Sequence, residues 1–152
     1  MILKTNRFGE IMYEKKDAFL FKDGLVGFPN YQHFLILQHE EKSPFRWLFS
    51  LDQSGLAFPL VDPFFYVPDY DPILTLEEAE DLELKEDTPR YVYTTATIPR
   101  GQPEATTINL AGPIIINAVT QQAKQIVLDD ERYSIKHSIF SSSRSYNIKK
   151  AA

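Results

Sequence analysis

Leu56-Ala57-Phe58-Pro59-Leu60-Val61-Asp62-Pro63-Phe64-Phe65-Tyr66-Val67-Pro68-Asp69-Tyr70 carries five aromatic rings and three prolines. Proline has no N–H to give a sheet ladder, so Pro59 and Pro63 argue against a long central strand. The stretch reads as edge strands joined by extended connections. In an extended chain successive side chains alternate, which puts Phe64 and Tyr66 on one side and Phe65 on the other. Two readings follow. Either a second layer covers both sides, or one side is offered to a partner as an aromatic anchor.

Working outward, most of the chain has the marks of short strands. Phe45, Trp47, Phe49 and Leu51 alternate with Arg46, Leu48, Ser50 and Asp52, which places the large apolar residues on one face. From Arg90 to Ile98 both alternating sets are β-formers, so this strand is expected to be covered on both sides. Phe34–Leu37, Thr106–Leu110, Ile114–Ile116 and Gln125–Leu128 are further β-like runs. Glycines and ten prolines punctuate them. Many short strands with frequent turn signals imply a closed or nearly closed antiparallel barrel, or a sandwich.

One helix start is legible. Thr75 as N-cap and Glu78 three residues on make a capping box. Leu76, Ala79 and Leu82 then share roughly one face, and Glu77, Glu78, Glu80 and Asp81 suit the positive end of the helix dipole. Pro89 closes any continuation, giving a short helix at about 75–84. A weaker helical turn is expected near Val119–Ala123. Asp62-Pro63 and Asp71-Pro72 look like turn initiators. The chain divides into one mostly β domain at 1–140 and a flexible polar, basic tail at 141–152.

Bulk properties narrow the function classes. A chain of 152 residues buries enough surface for one core without staples. There is no cysteine, which removes disulfides, thiolate chemistry and Cys-based zinc sites. No apolar run approaches the roughly 20 residues of a membrane helix. The net charge is −5, with basic residues interspersed, which argues against direct nucleic-acid binding. An oligonucleotide-binding barrel would need a basic face interleaved with its aromatics. His33, His39 and His137 lie in no metal-ligand spacing and read as structural. Asp52, Asp62, Asp69, Asp71, Asp129 and Asp130 are first of all turn residues. No catalytic residue, cofactor or metal site is expected.

Several stretches, taken in order, carry a family resemblance. They are Arg7-Phe8-Gly9-Glu10-Ile11, the Gly-Leu-x-Gly-Phe core within Phe21–Phe28, Pro44 through Asp52, Leu56 through Pro63, and Pro68-Asp69-Tyr70. Ile108 through Asn117 and Tyr133-Ser134-Ile135-Lys136-His137 complete the set. Over about Arg7 to Phe140 the chain resembles the flagellar assembly factor FliW family. It departs from the family at Gln121, Gln122 and Ala123, where arginines and a glycine are frequent, and at Lys136, where arginine is usual. Arg and Lys are not equivalent at a bidentate contact.

The resemblance implies a small β-barrel-like domain with a minor helix. It implies a cytoplasmic, non-enzymatic regulator that binds the translational repressor CsrA, relieving repression of flagellin mRNA, and that also binds flagellin. The alternative is a chaperone-like flagellin binder without CsrA antagonism. A monomer that contacts neither membrane nor nucleic acid is expected. The residues expected at the partner surface are Phe58, Asp62, Phe64, Phe65, Tyr66, Asp69, Tyr70, Asn109 and Asn117.

Overall fold

Alternation along the middle of the chain sets the architecture, and the computed structural model shows which face turns inward. It describes residues 1–38 and 40–140; His39 and the expected tail at 141–152 lie outside the described residues. The strands are β1 (Ile2–Thr5), β2 (Gly9–Met12), β3 (Phe19–Phe21), β4 (His33–Leu37), β5 (Phe45–Ser50) and β6 (Ala57–Val61). Then come α1 (Pro63–Tyr66), α2 (Leu76–Asp81), β7 (Arg90–Thr97), β8 (Thr107–Ile108), β9 (Ile114–Asn117), β10 (Gln122–Gln125) and β11 (His137–Ser138).

Strands β3 to β7 form an antiparallel meander. β9 pairs with β7, and β10 pairs with β9 on one side and β3 on the other, so seven strands close into a barrel. The closing pair β3–β10 is parallel, so the barrel is not wholly antiparallel. β8 and β11 continue from the far end of β7 as a flap outside the ring.

Cross-strand partners share a face, and the register assigns the interior without ambiguity. Phe21, Phe34, Leu48, Leu60, Ile114 and Ile116 fill the barrel and are buried. On β5 the interior face is therefore Leu48, not the aromatic set. Trp47 and Phe49 point outward and are covered by the β1–β2 hairpin. Its Phe8 ring meets both edge-on, at 6.3 and 6.0 Å, and the Arg7 guanidinium lies 4.1 Å from the Trp47 ring centre. The hairpin is the second layer that alternation alone could not locate.

Two outer clusters clothe the wall elsewhere. Val61, Tyr70, Ile108, Leu110 and Ile139 form one. Leu82, Ile115 and Ile126 form the other, under the 74–84 segment. Ile114-Ile115-Ile116 is thus buried on both faces, two side chains inward and one outward.

Three expectations need correction. β6 is an interior strand of the barrel, not an edge. Hydrogen-bonded β5–β6 pairs are marked by Asp62 N–H to the Pro44 carbonyl (3.0 Å) and Ser50 N–H to the Leu56 carbonyl (3.0 Å). By alternation Pro59, opposite Trp47, falls in a non-bonded pair and owes β5 no N–H. Pairing with β7 starts only at Leu60, so Pro59 interrupts nothing there either. Second, Val119–Ala123 is not a helical turn but a turn leading into β10. Third, β7 is not covered along its length, for Tyr91 is 50% exposed.

The Thr75–Glu78 capping box is present in both directions, at 2.8 and 3.1 Å. Yet α2 is only six residues long. Leu82, at its C-terminal end, is buried, while Leu76 in its first turn is 86% exposed.

Candidate protein-interaction site

The Asp62-Pro63 pair starts a helix, and this is where the extended reading of the aromatic segment fails. Asp62 is the N-cap of α1, and its Oδ1 accepts from the Phe64 N–H at 2.9 Å. Pro63 occupies the first helical position, where a missing N–H costs nothing and φ is already set. Helical geometry replaces strict alternation. Phe64 and Phe65 both emerge, 39% and 63% exposed, while Tyr66 is half-buried against the outer cluster.

The turn is braced from below. Tyr70 is buried, and its hydroxyl donates to the Leu110 carbonyl at 2.6 Å. Its ring lies between Phe64, at 5.9 Å, and Tyr133, at 4.7 Å. The Tyr133 hydroxyl in turn accepts from the Asp71 N–H at 2.8 Å. Arg132 stands over the Tyr133 ring at 4.9 Å and pairs with Asp130 at 2.8 Å. Phe65, Phe64 and Tyr133 thus make one aromatic ridge along the outer wall, with Tyr70 buried beneath it. Burial pushes the Tyr70 phenol well above its ordinary range, with the neighbouring Tyr133 adding to the shift. Burial also raises Tyr66. Both hydroxyls therefore stay protonated donors at any physiological pH.

Hollows flank the ridge. On the Phe64 side lies one lined by Arg46, Arg90, Tyr91 and Tyr93. On the Tyr133 side, Leu128, Tyr133 and Ile135 form an apolar floor bordered by Asp129, Asp130 and Glu131.

The expected surface residues separate by position. Phe64, Phe65 and Asp69 are exposed, and Asp62 and Tyr66 are half-buried beside them. Tyr70 lies beneath the ridge, while Asn109, just after β8, is half-buried beside Gly112, its Oδ1 buried without a hydrogen-bond partner among the described residues. Phe58 lies elsewhere, inside the barrel, edge-on to Phe28 at 5.2 Å. Asn117 is buried at the end of β9. Its Nδ2 donates to the Leu82 carbonyl (2.8 Å), and its Oδ1 accepts from Val119 and Thr120 N–H (2.9 and 3.1 Å). Asn117 thus ties α2 to the barrel and folds the turn before β10.

Tyr133, Arg132, Arg46 and Tyr91 were not anticipated at the surface. Tyr133 sits within the run that carries the family resemblance, so that run was the available signal. Arg46 lies in the Pro44–Asp52 run of the same resemblance, and nothing local in the sequence marks Arg132 or Tyr91.

Of the carboxylates near the segment, Asp62 and Asp52 are engaged in structure, whereas Asp69 and Asp71 are exposed. Asp52 accepts from Gln32 and His33 N–H at 2.7 and 2.9 Å. Burial works to raise its pKa, but these donors outweigh it and hold the carboxyl below its usual range. Among the described residues no three His, Asp or Glu side chains group as a metal site. No helix among them is long and apolar enough to cross a membrane.

These features define a class: a small closed β-barrel that presents a braced aromatic ridge on its outer wall. The FliW protein family model matches residues 2–139. The flagellar assembly factor FliW of Pseudothermotoga lettingae is 39% identical over 137 residues, covering 90% of this chain and 86% of that one. That of Thermotoga maritima is 36% identical, covering 90% and 91%. That of Desulfitobacterium hafniense is 36% identical over 144 residues, covering 95% and 94%. A crystal structure of the flagellar assembly factor FliW superposes with a TM-score of 0.85 at 32% identity, covering 93% of this chain and 99% of that one. The chain belongs to the FliW family.

Proposed function

We propose that this chain is a cytoplasmic flagellar assembly factor that works by partner exchange. It binds the translational repressor CsrA, relieving repression of flagellin mRNA, and it binds flagellin. With the two partners mutually exclusive, rising free flagellin releases CsrA by mass action, and flagellin level is coupled to flagellin translation. The reading assigns the chain no catalytic step and no cofactor.

The observation that carries it is the ridge itself. An exposed Phe65 next to Phe64 on a capped turn is a preorganised anchor, and buried aromatics are the usual centres of interface energy. Exposed Asp69, Asp71, Glu77 and Glu80 lie on the same stretch of chain and add long-range attraction for a basic CsrA. The apolar floor beside Tyr133 suits a helix laid into a groove, as the terminal helices of flagellin would be.

Titration calorimetry with purified CsrA and with purified flagellin tests the reading. Both should bind the wild-type chain, and saturation with one should block the other. Phe65→Ala should weaken at least one partner tenfold or more, and Asp69→Lys should weaken CsrA most at low salt. Unchanged binding of both partners by both folded variants would remove the ridge from the interface. Absence of CsrA binding with flagellin binding retained would leave a flagellin chaperone instead.

A further inference from the structure

The open end of the barrel adjoins the outer ridge at Phe64, and it has an unusual charge. The strand ends that meet there are the starts of β3, β5 and β7 and the end of β4. Inward-facing residues at these ends should be apolar if the mouth were only the rim of the core. Phe19, Ile36 and Tyr93 meet that expectation and pack against the core. Arg46 does not. It shares the inward face with its cross-strand partner Leu60, and it lines both hollows of the mouth, about 360 and 350 Å³, together with Tyr91 and Tyr93.

Arg46 is half-buried. Its Nη1 donates to the carbonyls of Ser43 (2.7 Å) and Phe45 (3.0 Å), which fixes the guanidinium plane. The Tyr93 hydroxyl lies against it. None of the ion pairs among the described residues includes Arg46. Arg90, at the rim, is likewise unpaired with any carboxylate there; its nitrogens hold the Lys85 and Thr88 carbonyls at 2.6 and 3.2 Å. Asp62, the one carboxylate among the described residues that line the two hollows, is engaged in capping α1. A chain of net charge −5 therefore keeps a cationic, aromatic-walled mouth. In the free protein this partly buried guanidinium is met only by neutral carbonyls and a hydroxyl, and an incoming carboxylate adds the charge-assisted bonds that a cation favours most.

We propose that the barrel mouth reads a carboxylate: Arg46 takes an Asp or Glu side chain of a partner polypeptide, and an apolar neighbour of that acid packs on Tyr91 and Phe64. The planar, fixed guanidinium suits a two-oxygen acceptor, which a lysine in its place would not match. Tyr91, half exposed, supplies the apolar wall, and Phe64 joins the mouth to the outer ridge. The proposal rests on the reading of this chain as a protein-binding factor and adds the chemistry of one contact.

Selection of a random twelve-residue peptide display library on the full chain tests it. Enriched sequences should place Asp or Glu next to an aromatic or aliphatic residue, and the enrichment should vanish on Arg46→Gln. A selected peptide, synthesised with both ends blocked, should lose about tenfold or more in affinity by fluorescence anisotropy when its acid becomes the amide. With Arg46→Gln protein the acid and amide peptides should bind alike. Tyr91→Ala should weaken both peptides while preserving their ratio, which separates wall from charge and does not depend on Arg46 variants folding. Arg46→Lys should restore only part of the acid preference.

Enrichment without acids, a requirement for a free C-terminal carboxylate, or displacement of the peptide by a short RNA would each overturn the proposal. Wild-type chain that fails to bind CsrA and flagellin while the acidic selection succeeds would sink the proposed function and spare the mouth. Binding of both proteins with no acidic consensus would do the reverse.

Discussion

Tyr70→Phe removes one oxygen from beneath the ridge and nothing else. The ring contacts with Phe64 and Tyr133 remain, but the Leu110 carbonyl loses the hydroxyl that donates to it at 2.6 Å. An orphaned buried acceptor costs about 1–3 kcal/mol. No other donor reaches that carbonyl among the described residues, so the middle of the range, about 2 kcal/mol, is the expected loss. For a domain of this size roughly 2–4 °C of melting temperature accompany each kcal/mol, so the melting point should fall by about 4–8 °C. Urea unfolding followed through the single tryptophan, Trp47, should show a lower midpoint at an unchanged slope.

The same substitution has an alkaline signature. Burial raises the Tyr70 phenol in the folded state, so folding favours its protonated form. That contribution is intact below the unfolded-state value of about 10 and is lost as pH climbs through and above it. In Tyr70→Phe this part of the alkaline loss is absent, and the slope flattens without vanishing, because Tyr66 and Tyr93 are raised as well. An unchanged urea midpoint together with an unchanged alkaline slope would refute the idea that this hydrogen bond braces the ridge.

Gly24→Ala should be severely destabilising, by about 2 kcal/mol or more in urea. Gly24 has φ +65°, and a Cβ there would run into the Phe28 carbonyl and Pro29. Phe65→Ala should leave stability within about 0.5 kcal/mol, since the ring is mostly exposed; a large drop in melting temperature would mean the ridge is a packing element. Asp52→Asn should lower stability at pH 7 by weakening the acceptor of the Gln32 and His33 N–H groups. The wild-type advantage should be present above about pH 4 and disappear as pH falls through the lowered folded-state value. An advantage that persists at pH 2 would contradict this.

Much of the barrel was legible because its strands are short, alternating and bounded by turn residues. The capping box at Thr75 was equally local. What escaped was whatever depends on a partner far along the chain. Alternation at Phe45–Ser50 shows that two faces differ, but only the β1–β2 hairpin, with Phe8 laid over Trp47 and Phe49, makes the aromatic face the outer one. Pro59 looked disqualifying for an interior strand until register placed it in a non-bonded pair. Asp62-Pro63 carried both a turn and a helix-start signal, and the helix prevailed because the cap is made and the outer cluster receives Tyr66. For the surface, aromatic density drew attention to Phe64 and Phe65, and both rings are exposed. That density could not separate them from Phe58, which the same segment sends into the barrel.

The parallel seam between β3 and β10 has a consequence in time. It joins only two residue pairs, Leu20 with Gln122 and Phe21 with Ala123. Side chains stitch it across about a hundred positions of chain: Gln121 to the Ala18 carbonyl, Gln125 to the Val26 N–H, Lys124 to Asp23. Contacts so distant in sequence form late, after the entropy of closing a long loop has been met. A nascent chain can therefore assemble the β3–β7 meander while it is still being made, yet it remains an open sheet with two bare edges until β9 and β10 are made. Until then it is a sticky intermediate, and the last third of the chain converts it into a cylinder.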